Sequence, residues 1–379
     1  MIPKLPDRPP NIALADALLP DRPVKGRGAV SNRSGRYERE ERVAVDDGWG
    51  GVAVEGEEDE TPSPRTTVAI DTTRTIVARN DSPDIPFDRS INPYRGCEHG
   101  CIYCFARPTH TYLGLSPGLD FETRLLMKPD AAELLKRELR NPRYRCDVMA
   151  MGTNTDPYQP IEREHRITRQ ILEVLDAHNH PVSIVTKSAL VMRDIDILGP
   201  MARRGLAAVG VSVTTLDRDL ARTMEPRAST PPRRLAAIAA LSAAGIPTSV
   251  MVAPIIPALN DMEIERILAA SAAAGATSAA YVLLRLPLEI KELFEEWLEA
   301  NVPDRAKRVL DLIRQTHDGK LYEAEFGKRM TGSGPVAQLV RQRFKLAIKK
   351  LGMNRRTWNL DVTKFRVPPG PGDQLTLGL

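Results

Sequence analysis

The sequence predicts an α/β fold, a partial TIM-type (β/α)6 barrel with an irregular N-terminal arm and a basic helical C-terminal extension. Three observations carry this expectation. Short β-rich runs alternate with helical patterns from residue 87 onward, which favours a parallel sheet. The helical stretches begin and end at capping residues. Small and polar residues follow the ends of the runs, where βα units place their chemistry.

Residues 1–80 read as an extended, partly disordered arm. Seven basic residues fall between Arg22 and Arg42 and an acidic run spans Glu55 to Glu60. With weak apolar periodicity, such a segment buries too little apolar surface to offset its ordering entropy. The core is expected over 81–300. Its six candidate strands are Ser90 to Asn92, Val148 to Met151, Val182 to Val185, Val209 to Val213, Ser249 to Val252 and Tyr281 to Leu284. Helical patterns cover Asp130 to Arg140, Arg163 to Ala177, Asp194 to Arg204, Pro232 to Ala244 and Asp261 to Ala274. Asp130 and Asp261 suit N-caps, while Gly205, Gly245 and Gly275 close three of the helices. Past the strand ends lie Gly152 to Asp156, Thr186 to Ser188, Thr214 and Thr215, Ala253 and Pro254, and Arg285.

Residues 301–367 form the basic extension and 368–379 a Pro/Gly-led tail. Between Phe326 and Arg366 eleven Lys and Arg face one acid. Here Gly334-Pro335 opens, and Gly352 closes, a helix from Val336 to Leu351. Val336, Val340, Phe344, Ala347 and Leu351 share its apolar face, while Arg341, Lys345 and Lys349 align at i, i+4, i+8. With Trp358 and Phe365 alongside, this stripe suits a phosphate backbone and a stacked base. The alternative is a solvated basic helix packed on the barrel.

Whole-chain composition excludes less. The 379 residues are 42% hydrophobic and 27% charged, with a formal charge of +4, too small by itself to announce a nucleic-acid or membrane partner. The Ala-rich stretch Leu235 to Val252 is broken by Gly245 and Pro247, so no membrane span is expected. Met1 to Pro10 lacks the apolar core of a secretory signal, and the expected compartment is the cytoplasm. Four cysteines are too few for a disulfide-stapled secreted fold.

Three of them, Cys97, Cys101 and Cys104, sit on one glycine-flanked loop with Cys-x3-Cys-x2-Cys spacing. Three soft thiolates suit an iron–sulfur cluster or zinc. A structural zinc wants four ligands, and His99 or His110 is the available fourth.

This loop, placed after the first strand, resembles that of the radical S-adenosylmethionine superfamily. Gly152 to Pro160 and Cys104 to His110 further resemble its spore photoproduct lyase-like (DNA repair photolyase-like) branch, and Lys25-Gly26-Arg27-Gly28-Ala29 resembles a bacterial subgroup of that branch. The resemblance implies that Cys97, Cys101 and Cys104 bind three irons of a [4Fe–4S] cluster. S-adenosylmethionine would chelate the fourth and be cleaved to a 5′-deoxyadenosyl radical. It also implies that Tyr103 lies beside the adenine, that Thr155 and Asp156 meet methionine and ribose groups, and that Lys187 neutralises the cofactor carboxylate. Ser212 or Thr214, and Ala253, match weaker contact positions. Possible DNA or other nucleic acid is the implied substrate, and flavodoxin or ferredoxin is the kind of electron donor implied.

One departure stands out. Spore photoproduct lyase uses a cysteine as hydrogen donor where this chain has Thr153. Cys146 lies at the start of the second strand, some six residues before the rim or about 20 Å away at 3.3 Å per residue, at the wrong end of the barrel. The resemblance therefore implies a radical enzyme acting on nucleic acid, with a peptide or small metabolite as the alternative substrate. A non-catalytic nucleic-acid-binding protein with a structural metal is the alternative of a different class. The terminal Gln374 to Leu379 loosely resembles the peptide with which bacterial repair proteins dock on the sliding clamp; the plain reading is a frayed tail.

Overall fold

The computed structural model describes residues 21–38, 64–355 and 359–370. Ten strands are present among them: β1 (Thr67–Ile70), β2 (Val77–Arg79), β3 (Arg89–Ile91), β4 (Tyr94–Arg95), β5 (Arg124–Met127), β6 (Met149–Met151), β7 (Val182–Thr186), β8 (Ala207–Ser212), β9 (Thr248–Ile255) and β10 (Ser278–Leu283). The helices are α1 (Asp120–Thr123), α2 (Ala131–Leu139), α3 (Glu162–His165), α4 (Ile167–Ala177), α5 (Ile195–Arg203), α6 (Arg218–Met224), α7 (Pro231–Ala243), α8 (Ile264–Ala273), α9 (Ile290–Asn301), α10 (Pro303–Gln315) and α11 (Gly334–Leu351).

The main sheet has the order β10-β9-β8-β7-β6-β3-β2. Its first six strands in that order run parallel, and β2 alone is antiparallel, against β3. All six strands expected from sequence are therefore neighbours in one sheet, and the sheet stays open. Their interiors are apolar because helices cover them: Ile184, Val209, Val211, Val250 and Val252 are buried against Leu175, Leu198 and Leu241. Gly205, Gly245 and Gly275 each take positive φ at a helix end, a backbone state that costs glycine nothing. Asp130 stands at the N-cap of α2, although its side chain makes no capping bond.

A second sheet, β1-β5-β4, has no counterpart among the predicted elements. It ties residues 67–70 to the segment that leads into the cysteine loop. The arm also departs from expectation. Within the described 21–38, Arg27, Ala29, Val30 and Ser31 are buried. Their burial comes from hydrogen bonding and close backbone contact, which apolar periodicity does not register. The acidic run Glu55 to Glu60 lies outside the described residues.

Two contacts act at the sheet's open edges. Arg329, in the turn before α11, donates to Asp84 (2.7 Å) and also meets Ser82, in the β2–β3 loop. Beside β10, the Asn354 amide donates to the Ala279 carbonyl (2.9 Å) and accepts from its N–H (2.7 Å), while the Met330 carbonyl accepts from Leu283 N–H (2.9 Å).

The predicted basic helix is α11. It buries Ala337, Val340, Phe344 and Ala347, with Phe344 4.7 Å from the Tyr281 ring. It begins beside Thr316, whose carbonyl accepts from Ser333 N–H, and ends where Asn354 N–H reaches Thr277 at the start of β10. The helix thus runs against β10, away from the rim. Among the described residues no helix is long and apolar enough to cross a membrane.

Candidate active site

The cysteine loop leaves β4 at Gly96 and is held from every side by buried polar groups. Gly96 and Gly100 have positive φ, +76° and +66°. A side chain at Gly100 would meet the Glu122 carboxylate at 2.8 Å, and one at Gly96 would meet the Phe121 carbonyl at 2.8 Å. Arg107 is fully buried and spends its five N–H groups on this loop and its neighbours. It donates to the carbonyls of Cys101 (2.9 Å), Gly100 (3.1 Å), Pro117 (3.1 Å) and Gly118 (2.9 Å), and to Glu122. Gln159 donates to Gly96 O (3.2 Å) and accepts from Glu98 N–H (2.9 Å). From the opposite side, Met224 O accepts from Ile102 N–H and His99 O from Arg227 N–H.

Cys97 and Cys101 are buried and Cys104 is half-buried. Burial, then the Asp156 carboxylate and the other two thiols, pushes the Cys97 thiol well up; burial does the same for Cys101. The three thiols therefore lie within electrostatic reach of one another, and the surroundings of Cys97 and Cys101 favour the neutral form until a metal displaces the proton. Ile102, Ala106 and Phe121 supply apolar cover. A soft donor set on a loop braced by buried polar groups fits an iron–sulfur cluster. Among the described residues no three His, Cys, Asp or Glu side chains converge as a single-ion site requires; in a cluster each thiolate takes its own iron. His110 Nε2 faces Arg124 O at 2.9 Å, and His99 Nδ1 faces Asp156 at 3.4 Å.

The rim of the parallel strands adjoins this loop. Asp156, past β6, accepts from Thr186 Oγ1 (2.7 Å), Tyr158 N–H (2.9 Å) and Lys187 N–H (2.7 Å), besides the His99 contact. Burial alone would raise its carboxyl, yet His99, Lys187 N–H and Thr186 hold it down at about 2. Thr155 donates to Tyr94 O (3.1 Å), and both Thr153 Oγ1 and Asn154 N–H reach the Asn92 amide oxygen. Lys187 Nζ stands 5.6 Å from the Tyr103 ring centroid. Ser212 and Thr214 turn their hydroxyls to Ala253 O, at 3.2 and 3.3 Å; Ala253 lies inside β9 rather than beyond it.

Tyr103 leads to residues that sequence reasoning missed. Its hydroxyl donates to buried Glu225, which also accepts from Thr214 Oγ1 (2.7 Å) and pairs with buried Arg234. Arg234 further donates to Ser212 O (3.1 Å) and Ser229 O (2.6 Å). The one sequence signal was Glu225-Pro226-Arg227, charged residues in an otherwise plain helix-to-helix turn. Phe105, directly after Cys104, is 45% exposed, with the Arg285 guanidinium 5.3 Å above its ring. Arg285 Nε is buried without a hydrogen-bond partner.

Other sequence candidates fall elsewhere. Cys146 precedes β6, at the far end of the sheet from the rim, where burial pushes its thiol to about 11. Arg341, Lys345 and Lys349 are exposed on α11, but they march away from the rim. Phe365 is no base platform, since it packs against His180 (5.3 Å) and Tyr144 (5.8 Å). Trp358 and the tail from Gln374 to Leu379 lie outside the described residues.

Residues 91–270 match the Radical SAM superfamily. An uncharacterized protein of Mycobacterium tuberculosis is 41% identical over 233 residues, covering 61% of this chain and 68% of the relative. Another, from Methanocaldococcus jannaschii, is 28% identical over 218 residues, covering 56% and 76%. Among solved structures, spore photoproduct lyase complexed with dinucleoside spore photoproduct aligns with a TM-score of 0.53 at 17% identity, over 76% of this chain and 80% of that one. A form of the same enzyme with bound AdoMet and the dinucleoside aligns equally well. At this identity the likeness is one of fold.

Proposed function

Because the chain belongs to the radical S-adenosylmethionine superfamily, whose members use a [4Fe–4S] cluster and S-adenosylmethionine, we propose that it is a radical enzyme acting on nucleic acid. The observation that carries this reading is the loop of Cys97, Cys101 and Cys104, two thiols buried and one half-buried against the strand rim. When bound, the reduced cluster and S-adenosylmethionine supply a 5′-deoxyadenosyl radical that takes hydrogen from the substrate.

The chain's own residues orient and enclose. Cys97, Cys101 and Cys104 hold the cluster. Tyr103, fixed through Glu225, offers a flat face to the adenine. Lys187, which forms no salt bridge among the described residues, suits the cofactor carboxylate, and the Ser212–Ala253 edge lines the other flank. Thr155 and Asp156 act chiefly by position. The four acceptor sites of Asp156 are taken within the protein, so it locks His99, the β6 loop and the Lys187 backbone together.

Nucleic acid is favoured by Phe105 and Arg285, a 45% exposed ring and a cation that forms no salt bridge among the described residues, stacked together beside the last cysteine. Together they suit a base and its phosphate. The fold shared with a lyase bound to a dinucleoside supports the same class. The known thiol route is not supported, because Thr153 is hydrogen-bonded to Asn92 and its O–H bond is too strong to quench a substrate radical. The substrate is therefore one whose reaction needs no thiol at 153. After anaerobic reconstitution and reduction, S-adenosylmethionine should yield 5′-deoxyadenosine, faster with DNA or RNA present, and Cys101→Ala should yield none. Release indifferent to nucleic acid but raised by peptides or metabolites would overturn the substrate class; no release from a loaded enzyme would overturn the enzyme.

A further inference from the structure

The segment Arg27 to Ala29 lies outside the matched residues 91–270, yet it lies directly against the cysteine loop. Gly28 packs flat on the loop: a Cβ there would sit 1.8 Å from the carbonyl oxygen of Gly100, the residue immediately before Cys101. No side chain fits, which explains glycine at a position whose φ is not in the left-handed region. The Gly28 and Ala29 N–H groups donate to the two oxygens of Glu122, at 3.0 and 2.9 Å. Glu122 is also the carboxylate that pairs with Arg107, and Arg107 holds the Cys101 and Gly100 carbonyls.

Arg27 completes the attachment. It donates to Glu122 O (3.1 Å), Pro64 O (2.6 Å) and Thr66 Oγ1 (3.2 Å), and Thr66 donates in turn to Glu98 (2.6 Å), between Cys97 and Cys101. The same Glu98 oxygen also pairs with Arg227, at 3.1 Å. Ala29 shares an apolar cluster with Cys101, Ile102 and Tyr103. The arm thus supplies polar anchors and apolar cover to the stretch that carries two of the three thiols.

We infer that residues 27–29 are a cofactor-retention element, a wall that the arm adds to the barrel to hold the cysteine loop in its ligating form and slow loss of the cluster. The inference rests on the reading of Cys97, Cys101 and Cys104 as cluster ligands. Partners one bond removed from metal ligands set affinity because they fix ligand orientation and solvent access. Arg27, Gly28 and Glu122 are positioning residues in this sense, reaching the thiolates only through the loop backbone.

The test compares wild type with Gly28→Ala and Arg27→Ala, the second retaining glycine at the tight contact in case the first does not fold. After anaerobic reconstitution, iron and sulfide per chain are measured, then the rate of iron transfer to a chelator and the decay of the visible sulfur-to-iron band in air. The melting temperature of each metal-free protein reports plain structural damage. Both measured losses are expected to be roughly 10-fold or more faster in a variant that folds, with the metal-free melting temperature little changed. Unchanged retention in folded variants overturns the inference, as does a retention loss that merely tracks a fall in metal-free stability. A wild-type protein that takes up no iron and sulfide overturns the cluster reading itself.

Discussion

Replacing Glu225 with alanine tests whether the site's polar scaffold is as buried and coupled as its geometry indicates. The Glu225 and Arg234 side chains are 0% and 1% exposed. Removing the carboxylate strands the guanidinium in the interior, which costs about 3–5 kcal/mol. It also takes the carboxylate acceptor from Tyr103, left with Thr214 Oγ1 at 3.3 Å, while Thr214 keeps the Ala253 carbonyl, a further loss of about 1–3 kcal/mol. These contributions overlap, so a net loss of about 4 kcal/mol is expected, or roughly 8–16 °C of melting temperature at 2–4 °C per kcal/mol. Glu225→Gln keeps an acceptor for Tyr103 and should lose about half as much. Glu225→Leu with Arg234→Met should recover part of the loss, because the unpaired charge is gone while the Ser212 and Ser229 carbonyls still lack their donor. Differential scanning fluorimetry of the metal-free protein under reductant measures all three. A Glu225→Ala protein melting within about 3 °C of wild type would refute the reasoning.

Other perturbations separate the remaining roles. His180 must donate from Nδ1 to Pro181 O (3.0 Å), so its bare Nε2 accepts from Tyr144 O–H (2.7 Å), and burial drops its pKa from 6.5 to about 4. The unfolded chain then takes a proton first as pH falls. Stability should decline between pH 6.5 and 4 by about 1.4 kcal/mol per unit, and melting curves of His180→Gln should lack that part of the slope. Phe105→Ala should weaken binding of a short single-stranded oligonucleotide by about 1–3 kcal/mol, read by fluorescence anisotropy. Arg285→Ala should lower the salt slope by about one phosphate contact; unchanged binding in both variants would remove the proposed platform. Lys345→Glu with Lys349→Glu should weaken long duplexes yet spare turnover of a short oligonucleotide, since α11 carries these residues along about 27 Å of helix that leads off the rim.

The strands were legible because buried parallel strands read as unbroken apolar runs, and the helices because their apolar faces recur at the helical period between glycine stops. The small sheet was not, since β4 has two residues and β5 four, too short to show alternation. The arm was misjudged for a related reason: Gly28 and Arg27 bury themselves through a carboxylate and carbonyls contributed some 95 residues later, and composition carries no record of such partners. Glu225 and Arg234 were missed because buried ion pairs follow no period, and the charged turn at Glu225-Pro226-Arg227 is their one local trace. The cysteine spacing, by contrast, is a local property, and the loop it marks is a contiguous stretch of chain.

The Asn354 amide beside β10 has a consequence for how the protein behaves in concentrated solution. An open parallel sheet ends in a strand whose outward N–H and C=O groups invite a strand from another molecule. Here one side chain takes both groups of Ala279, as a neighbouring residue in a ladder would, and the Met330 carbonyl takes the N–H of Leu283 four residues on. These two positions of the edge are thereby capped without a further strand among the described residues. A strand from another molecule that paired at Ala279 would first have to displace this amide, which is held in place by a left-handed turn at Asn354.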